Sequence, residues 1–225
     1  MHEKSRGNVK ALVFDLDGTL IDSQEDLALA VNLTLCAMGR EALPTDLVAS
    51  YVGSGAPLLI ARALGGRPTP EELQSALQFF LNCYDEHLLD HTRPYPGVRE
   101  ALERLRGTPM AVLSNKPRNA SVRILEELAL AEFFKPIYGG NSFATKKPDP
   151  LGAMTVLSEF AVTAAEAVMV GDSEVDVQTA RNAGMISAIV NFGFGVHDRG
   201  RYPADVYLDR MEELVPLFFD GAGRR

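Results

Sequence analysis

Short apolar runs, each stopped by a cluster of polar residues and spaced by longer amphipathic stretches, constrain this chain more than any other feature. Val9 to Phe14 reads as a buried strand that ends at Asp15-Leu16-Asp17-Gly18-Thr19. Pro109 to Leu113 reads the same way and stops at Ser114-Asn115, Ile137-Tyr138 closes at Gly139-Gly140, and Ala167 to Val170 stops at Gly171-Asp172. Ile186 to Val190 is a fifth candidate, and Val206-Tyr207-Leu208 a minor sixth. Helical patterns fill 97–106, 117–129, 150–160 and 174–183. Strands alternating with helices predict an α/β fold whose parallel sheet is covered on both faces.

The rhythm breaks after the first strand. From 21 to 93 the periodicity is helical, with no convincing strand, and is punctuated by Pro44, Gly53-Ser54-Gly55 and Gly65-Gly66-Arg67-Pro68-Thr69-Pro70. Arg93-Pro94-Tyr95-Pro96-Gly97 marks the return. The expected organisation is therefore a core built from 1–20 and 94–225, with 21–93 inserted as a helical domain hinged near Leu20 and Pro94. A chain of 225 residues accommodates such a core plus a smaller insertion.

Other features narrow the function class. A net charge of −8 argues against nucleic acid or an anionic membrane as main partner. No apolar run approaches the span of a bilayer, and Met-His-Glu-Lys-Ser-Arg-Gly-Asn lacks the apolar segment of a secretory signal, so a cytoplasmic protein is expected. Cys36 and Cys83 have neither ligand spacing nor a framework of partners, and read as reduced packing thiols. His87 and His91 are four apart, but Leu88 stands where a zinc-protease pattern needs glutamate, so they read as solvated helix residues. The oligomeric state stays open.

In open parallel sheets, ligands bind beyond the carboxyl ends of the strands. Asp15 and Asp17, Ser114 and Asn115, Lys146 and Lys147, and Asp172 and Asp176 follow successive candidate strands and converge there. Singly, each has an ordinary reading: Ser114 would cap the helix starting near Pro117, the lysines would be solvated, and the aspartates would close turns. Jointly they do not, because independent turns have no reason to share one end of a sheet. Carboxylates packed this closely repel unless a cation is present, and a few hard oxygen ligands suit Mg²⁺.

Four segments resemble the motifs of the haloacid dehalogenase superfamily, in that family's order: Asp15-Leu16-Asp17-Gly18-Thr19-Leu20, Leu113-Ser114-Asn115-Lys116, Lys147-Pro148-Asp149-Pro150 and Val170-Gly171-Asp172-Ser173-Glu174-Val175-Asp176. The resemblance implies a Rossmann-like core, a cap at 21–93, Mg²⁺ and a covalent aspartyl intermediate. It implies Asp15 as nucleophile and Asp17 as general acid and base. It implies metal ligation by Asp15, Asp172 and the Asp17 carbonyl, and phosphate binding by Ser114, Asn115 and Lys147. Asp176 would orient Lys147 or a metal-bound water. A second aspartate at 17 matches the phosphoryl-transfer branches of the superfamily.

Val52-Gly53-Ser54-Gly55-Ala56, Tyr95-Pro96-Gly97-Val98 and Ser114-Asn115-Lys116-Pro117 resemble bacterial phosphoglycolate phosphatases, whereas Asn191-Phe192-Gly193-Phe194-Gly195 departs from them. The implied substrate is 2-phosphoglycolate or a similar small phosphomonoester, with Ser54 and Arg62 as candidate contacts to its carboxylate. A sugar-phosphate phosphatase or a β-phosphoglucomutase-like mutase would use the same aspartate pair. A phosphoryl-signalling receiver would lack the insertion, and an idle binding protein would not need both aspartates. Lys116 and Arg118 read as surface residues at least as readily as phosphate contacts.

Overall fold

The computed structural model describes residues 8–219, so 1–7 and 220–225, the outer ends of the two expected core segments, lie outside the described residues. In chain order the core and insertion begin with β1 (Ala11–Phe14), β2 (Ile21–Asp22), α1 (Gln24–Ala37), α2 (Thr45–Ala49), α3 (Ala56–Leu64), α4 (Pro70–Glu86) and β3 (Arg93–Pro94). Then follow α5 (Val98–Arg104), β4 (Met110–Leu113), α6 (Arg118–Glu127), β5 (Ile137–Tyr138), α7 (Leu151–Glu159) and β6 (Ala167–Gly171). The chain closes with α8 (Glu174–Ala183), β7 (Ile186–Val190), β8 (Val206–Leu208) and α9 (Leu214–Phe218).

Among the described residues β5, β4, β1, β6, β7 and β8 lie side by side in that order, every pairing parallel. The central strands are apolar throughout because both faces are covered. Leu12 and Phe14 point to one side and Ala11 and Val13 to the other, the alternation a strand dictates. The second side is lined by Ala11, Ala111 and Ala167, whose small side chains let α7 and α8 pack closely through Ala153, Val156 and Ala180. The first side holds the larger cluster, where fully buried Phe14 meets Phe134 edge-on at 5.8 Å. Chain order reverses direction around β1, so the ends of β1, β4 and β6 flank the switch point where a ligand crevice forms.

The residues that punctuate 21–93 set its helix boundaries. Pro44 precedes α2, Gly55 precedes α3, Gly65 ends α3, and Thr69 opens α4 with a reciprocal capping box to Glu72. Helices α1 to α4 pack on one another and share a continuous apolar cluster with Leu16, Leu20 and Phe14. One expectation is corrected: the segment does contain strand, because Ile21 and Asp22 pair antiparallel with Pro94 and Arg93. The chain thus leaves and re-enters the sheet region through one two-stranded ribbon. Asp26, fully buried in the first turn of α1, fastens it by accepting from the backbone N–H of His91 at 2.9 Å and Thr92 at 2.8 Å, and from Thr92 Oγ1 at 2.7 Å. Cys83 is half-buried against the cluster, whereas Cys36 is exposed and does not pack as expected. His87 pairs with Asp90 and His91 with Glu25, both at the surface.

Candidate active site

The end of β1 carries the first polar group. Asp15 continues the strand ladder by donating its N–H to the Val170 carbonyl at 2.9 Å, and its side chain is buried. Lys147 Nζ lies 2.9 Å from Asp15 Oδ1 and 2.7 Å from Asp176 Oδ1. Despite that ion pair, Asp15 Oδ1 has no donor at hydrogen-bonding geometry. Oxygens of Asp15, Asp172 and Asp176 all lie within 4.8 Å of one another. Burial, and then the charge of Asp176, pushes the Asp15 carboxyl up to about 6 against the opposing pull of Lys147. Burial, then Asp176 and Asp15, raises Asp172 well above the usual carboxylate range.

Asp172 and Asp176 differ in what they have left to offer. Asp176 is the third helical residue of α8 and completes a capping box: its Oδ2 accepts from Ser173 Oγ at 2.7 Å and from the N–H groups of Ser173 and Asp172 at 3.1 and 3.3 Å. With Oδ1 on Lys147, both its oxygens are engaged. Among the described residues Asp172 accepts only from the Gly195 N–H, at 2.7 Å through Oδ2. Three glycines make room for it. A Cβ on Gly18, which sits at φ +79°, or on Gly193 would collide with the Asp172 side chain, and one on Gly195 would crowd it at 2.8 Å.

The loop after β4 supplies the next groups. Ser114 is buried, and the Lys116 N–H donates to its hydroxyl oxygen at 3.3 Å. Pro117 precedes helix α6, which has no side-chain cap, so Ser114 is not a helix cap. Asn115 is buried differently from expectation: its amide donates to the carbonyls of Gly53 and Lys147 and accepts from the Lys147 N–H. Its side-chain amide is thus engaged with protein and clamps Lys147. Asp17 accepts from Ser23 Oγ at 2.6 Å and from Lys116 Nζ at 2.8 and 3.0 Å.

A cavity of about 760 Å³ opens over these groups, lined by Asp15, Asp17, Ser114, Lys116 and Lys146 on one side and by Val52, Gly53, Gly55, Phe80 and Tyr84 on the other. Ser54 and Arg62 are not among its walls. They line a second cavity with Glu174 and Val196, and Arg62 is exposed, donating to the Tyr51 carbonyl. Positive φ at Gly53 and Gly55 turns the two glycines toward Asp15 while Ser54 faces away.

The haloacid dehalogenase-like hydrolase family model matches residues 12–190. A phosphoglycolate phosphatase from Pseudomonas savastanoi pv. phaseolicola is 38% identical over 222 residues, covering 94% of this chain and 80% of the relative. One from Chromobacterium violaceum is 36% identical over 220 residues, covering 95% of this chain and 98% of the relative. The chain belongs to the haloacid dehalogenase-like hydrolase family. Within it, the enzyme is a phosphatase resembling phosphoglycolate phosphatases. A crystal structure described as a predicted phosphoglycolate phosphatase from Haemophilus somnus has TM-score 0.86 at 28% identity, covering 93% of this chain and 97% of that one.

Two further groups of this hydrolase line the cavity, Lys116 and Tyr84. Lys116 is buried against Asp17 rather than at the surface, where Arg118 does lie. Tyr84, on α4, reaches Lys116 at 2.6 Å. The signal for Lys116 was present in its place directly after Ser114-Asn115. Nothing local singled out Tyr84, which reads as one more apolar-face residue of an amphipathic helix.

Proposed function

We propose that this hydrolase is a magnesium-dependent phosphomonoesterase that works through an aspartyl phosphate on Asp15, with 2-phosphoglycolate or a similarly small phosphate ester as substrate. The observation that carries the reading is the placement of Asp15 and Asp17, two residues apart at the end of the central strand, on one wall of the cavity. The curated relatives favour the substrate, since those described above are phosphoglycolate phosphatases.

The donor set fits a hard divalent cation: a buried Asp15 carboxylate whose Oδ1 meets the Lys147 ammonium, and an Asp172 carboxylate that accepts from the Gly195 N–H and is held by a glycine cradle, with their oxygens and those of Asp176 within 4.8 Å of one another. Asp15, Asp172 and the Asp17 carbonyl would hold Mg²⁺, which supplies neutralising charge for the phosphoryl oxygens when bound. Asp15 attacks phosphorus in line, and the bond from phosphorus to the ester oxygen breaks. Asp17 gives its proton to the departing alkoxide, then takes one from the water that attacks the aspartyl phosphate, releasing inorganic phosphate and free Asp15. Lys147, held between Asp15 and Asp176, counters charge on the transferring group, and the Ser114 hydroxyl donates to it. The segment 21–93 acts as a cap that excludes bulk water during both steps.

The test is phosphate release from a panel of phosphomonoesters with Mg²⁺ present, ranked by kcat/KM. 2-Phosphoglycolate should stand first. A hexose phosphate preferred by about tenfold, roughly 1.4 kcal/mol of transition-state binding, would replace that substrate while leaving the chemistry in place. Turnover confined to bisphosphate-primed sugar phosphates would make the enzyme a mutase.

A further inference from the structure

Burying an ammonium group costs several kcal/mol unless its donors are met. The Lys116 side chain is 4% exposed, and its three protons have three acceptors: both Asp17 oxygens, at 2.8 and 3.0 Å, and Tyr84 Oη at 2.6 Å. Its nitrogen also sits 4.5 Å from the centre of the Tyr84 ring. Burial works against the charge, but Asp17 and the Tyr84 oxygen outweigh it and lift the Lys116 pKa above the usual lysine range. With all three donors engaged, Lys116 has none left for a phosphate oxygen.

The partners lie on three separate elements. Asp17 follows β1, Lys116 follows β4, and Tyr84 stands near the end of α4, stacked on Phe80 at 5.6 Å. Asp17 is also held from the other end of the helical segment, by Ser23 just before α1. Both ends of 21–93 therefore touch the same carboxylate, one directly and one through Lys116.

We infer that Lys116 is a positioning residue that fixes the Asp17 carboxylate, and that Tyr84 makes this placement depend on where helix α4 sits. The inference rests on Asp17 being the acid and base of the proposed reaction. With α4 packed down, Asp17 is held from Ser23 and Lys116 at once. With α4 displaced, Lys116 loses its third acceptor and Asp17 gains freedom to leave the reacting oxygen. Seating of the helical segment is thereby coupled to proton transfer, beyond its role in excluding water.

Lys116→Met, Tyr84→Phe and Asp17→Asn, together with the two double variants carrying Asp17→Asn, test this on an alkyl and an aryl phosphate. Lys116→Met should lower kcat for the alkyl ester by about 10- to 100-fold with little change in KM, and less for the aryl ester, whose departure needs little protonation. On the Asp17→Asn background the same substitution should cost almost nothing, because its target is already gone. Tyr84→Phe, which keeps the ring on Phe80, should show a smaller loss with the same coupling, and carries the test if thermal melts show Lys116→Met unfolded. An unchanged kcat, a raised KM alone, or a loss that persists in full on the Asp17→Asn background would overturn the inference. Full alkyl-ester activity in Asp17→Asn itself would instead remove the acid–base reading beneath it.

Discussion

Asp176→Asn isolates what the Lys147 contact contributes, because the amide keeps the volume of a side chain that is fully buried. The Oδ2 side of Asp176 faces three donors, the Ser173 hydroxyl and the N–H groups of Ser173 and Asp172. An asparagine must turn its carbonyl oxygen to them, which leaves its NH₂ facing the Lys147 ammonium, donor against donor. Lys147 loses a charge-assisted bond of 2.7 Å and keeps only Asp15. Such a bond is worth about 1.5–3 kcal/mol, so kcat/KM should fall by about 10- to 150-fold if Lys147 must be held for phosphoryl transfer. Stability should fall by less than that bond is worth. The Asp176 charge is among the causes that raise the carboxyl pKa values of Asp15 and Asp172, and neutralising it relieves that repulsion. Single-turnover phosphate release with Mg²⁺, paired with a thermal melt, reads both quantities. Activity within threefold of wild type, or a loss matched by collapse of the melt, would refute the reasoning.

Asp26→Ala strands the two buried donors of Thr92 and frees the His91 N–H at the ribbon, and should cost about 2–5 kcal/mol in denaturant melts; a loss below ~1 kcal/mol would show that the clamp is slack. In chelator, the folded protein holds more protons than the unfolded chain between the ordinary Asp15 value of 3.8 and about 6, so the contribution of Asp15 falls as pH rises through that window. Asp172, raised in the same direction, adds to the fall. Asp172→Asn should therefore flatten the loss of melting temperature with rising pH and raise the metal-free melt at pH 7, while Mg²⁺ stops stabilising it; an unaltered slope would contradict this. Gly193→Ala drives a Cβ into Asp172 and the Gly18 carbonyl, and should abolish both activity and Mg²⁺-dependent stabilisation, which metal titration of the melt would reveal.

The sheet was legible because parallel strands buried on both faces must be apolar from end to end, and because their polar stops fall at the ligand-binding edge. Asp15, Asp17, Ser114 and Asp172 are such stops, Lys147 lies further along the loop after β5, and the structure brings Lys147 against Asp15. The β2–β3 ribbon was invisible because two-residue strands carry no periodicity, and Pro94 in one of them argues against strand. Asp26 was passed over because an acid in the first turn of a helix ordinarily meets the helix dipole rather than a distant backbone. Ser54 lines the second cavity because the dihedrals of Gly53 and Gly55 decide which way the loop faces, and sequence does not encode that locally. Asn191 to Gly195 departs from the phosphoglycolate phosphatase pattern, and within it Gly193 and Gly195 let the backbone close on Asp172. Lys116 stayed open between surface and phosphate because lysine beside a helix start is usually solvated, and its burial is made tolerable by partners distant in sequence, Asp17 and Tyr84.

The central claim is that Asp15 carries the phosphoryl group between substrate and water. The stereochemical course at phosphorus tests it most directly, using a phosphate ester made chiral with oxygen isotopes and turned over with Mg²⁺ in isotopically distinct water. Two successive in-line displacements, onto Asp15 and then onto water, predict net retention of configuration. Inversion would mean that water attacks the substrate in a single step, and would contradict the covalent account.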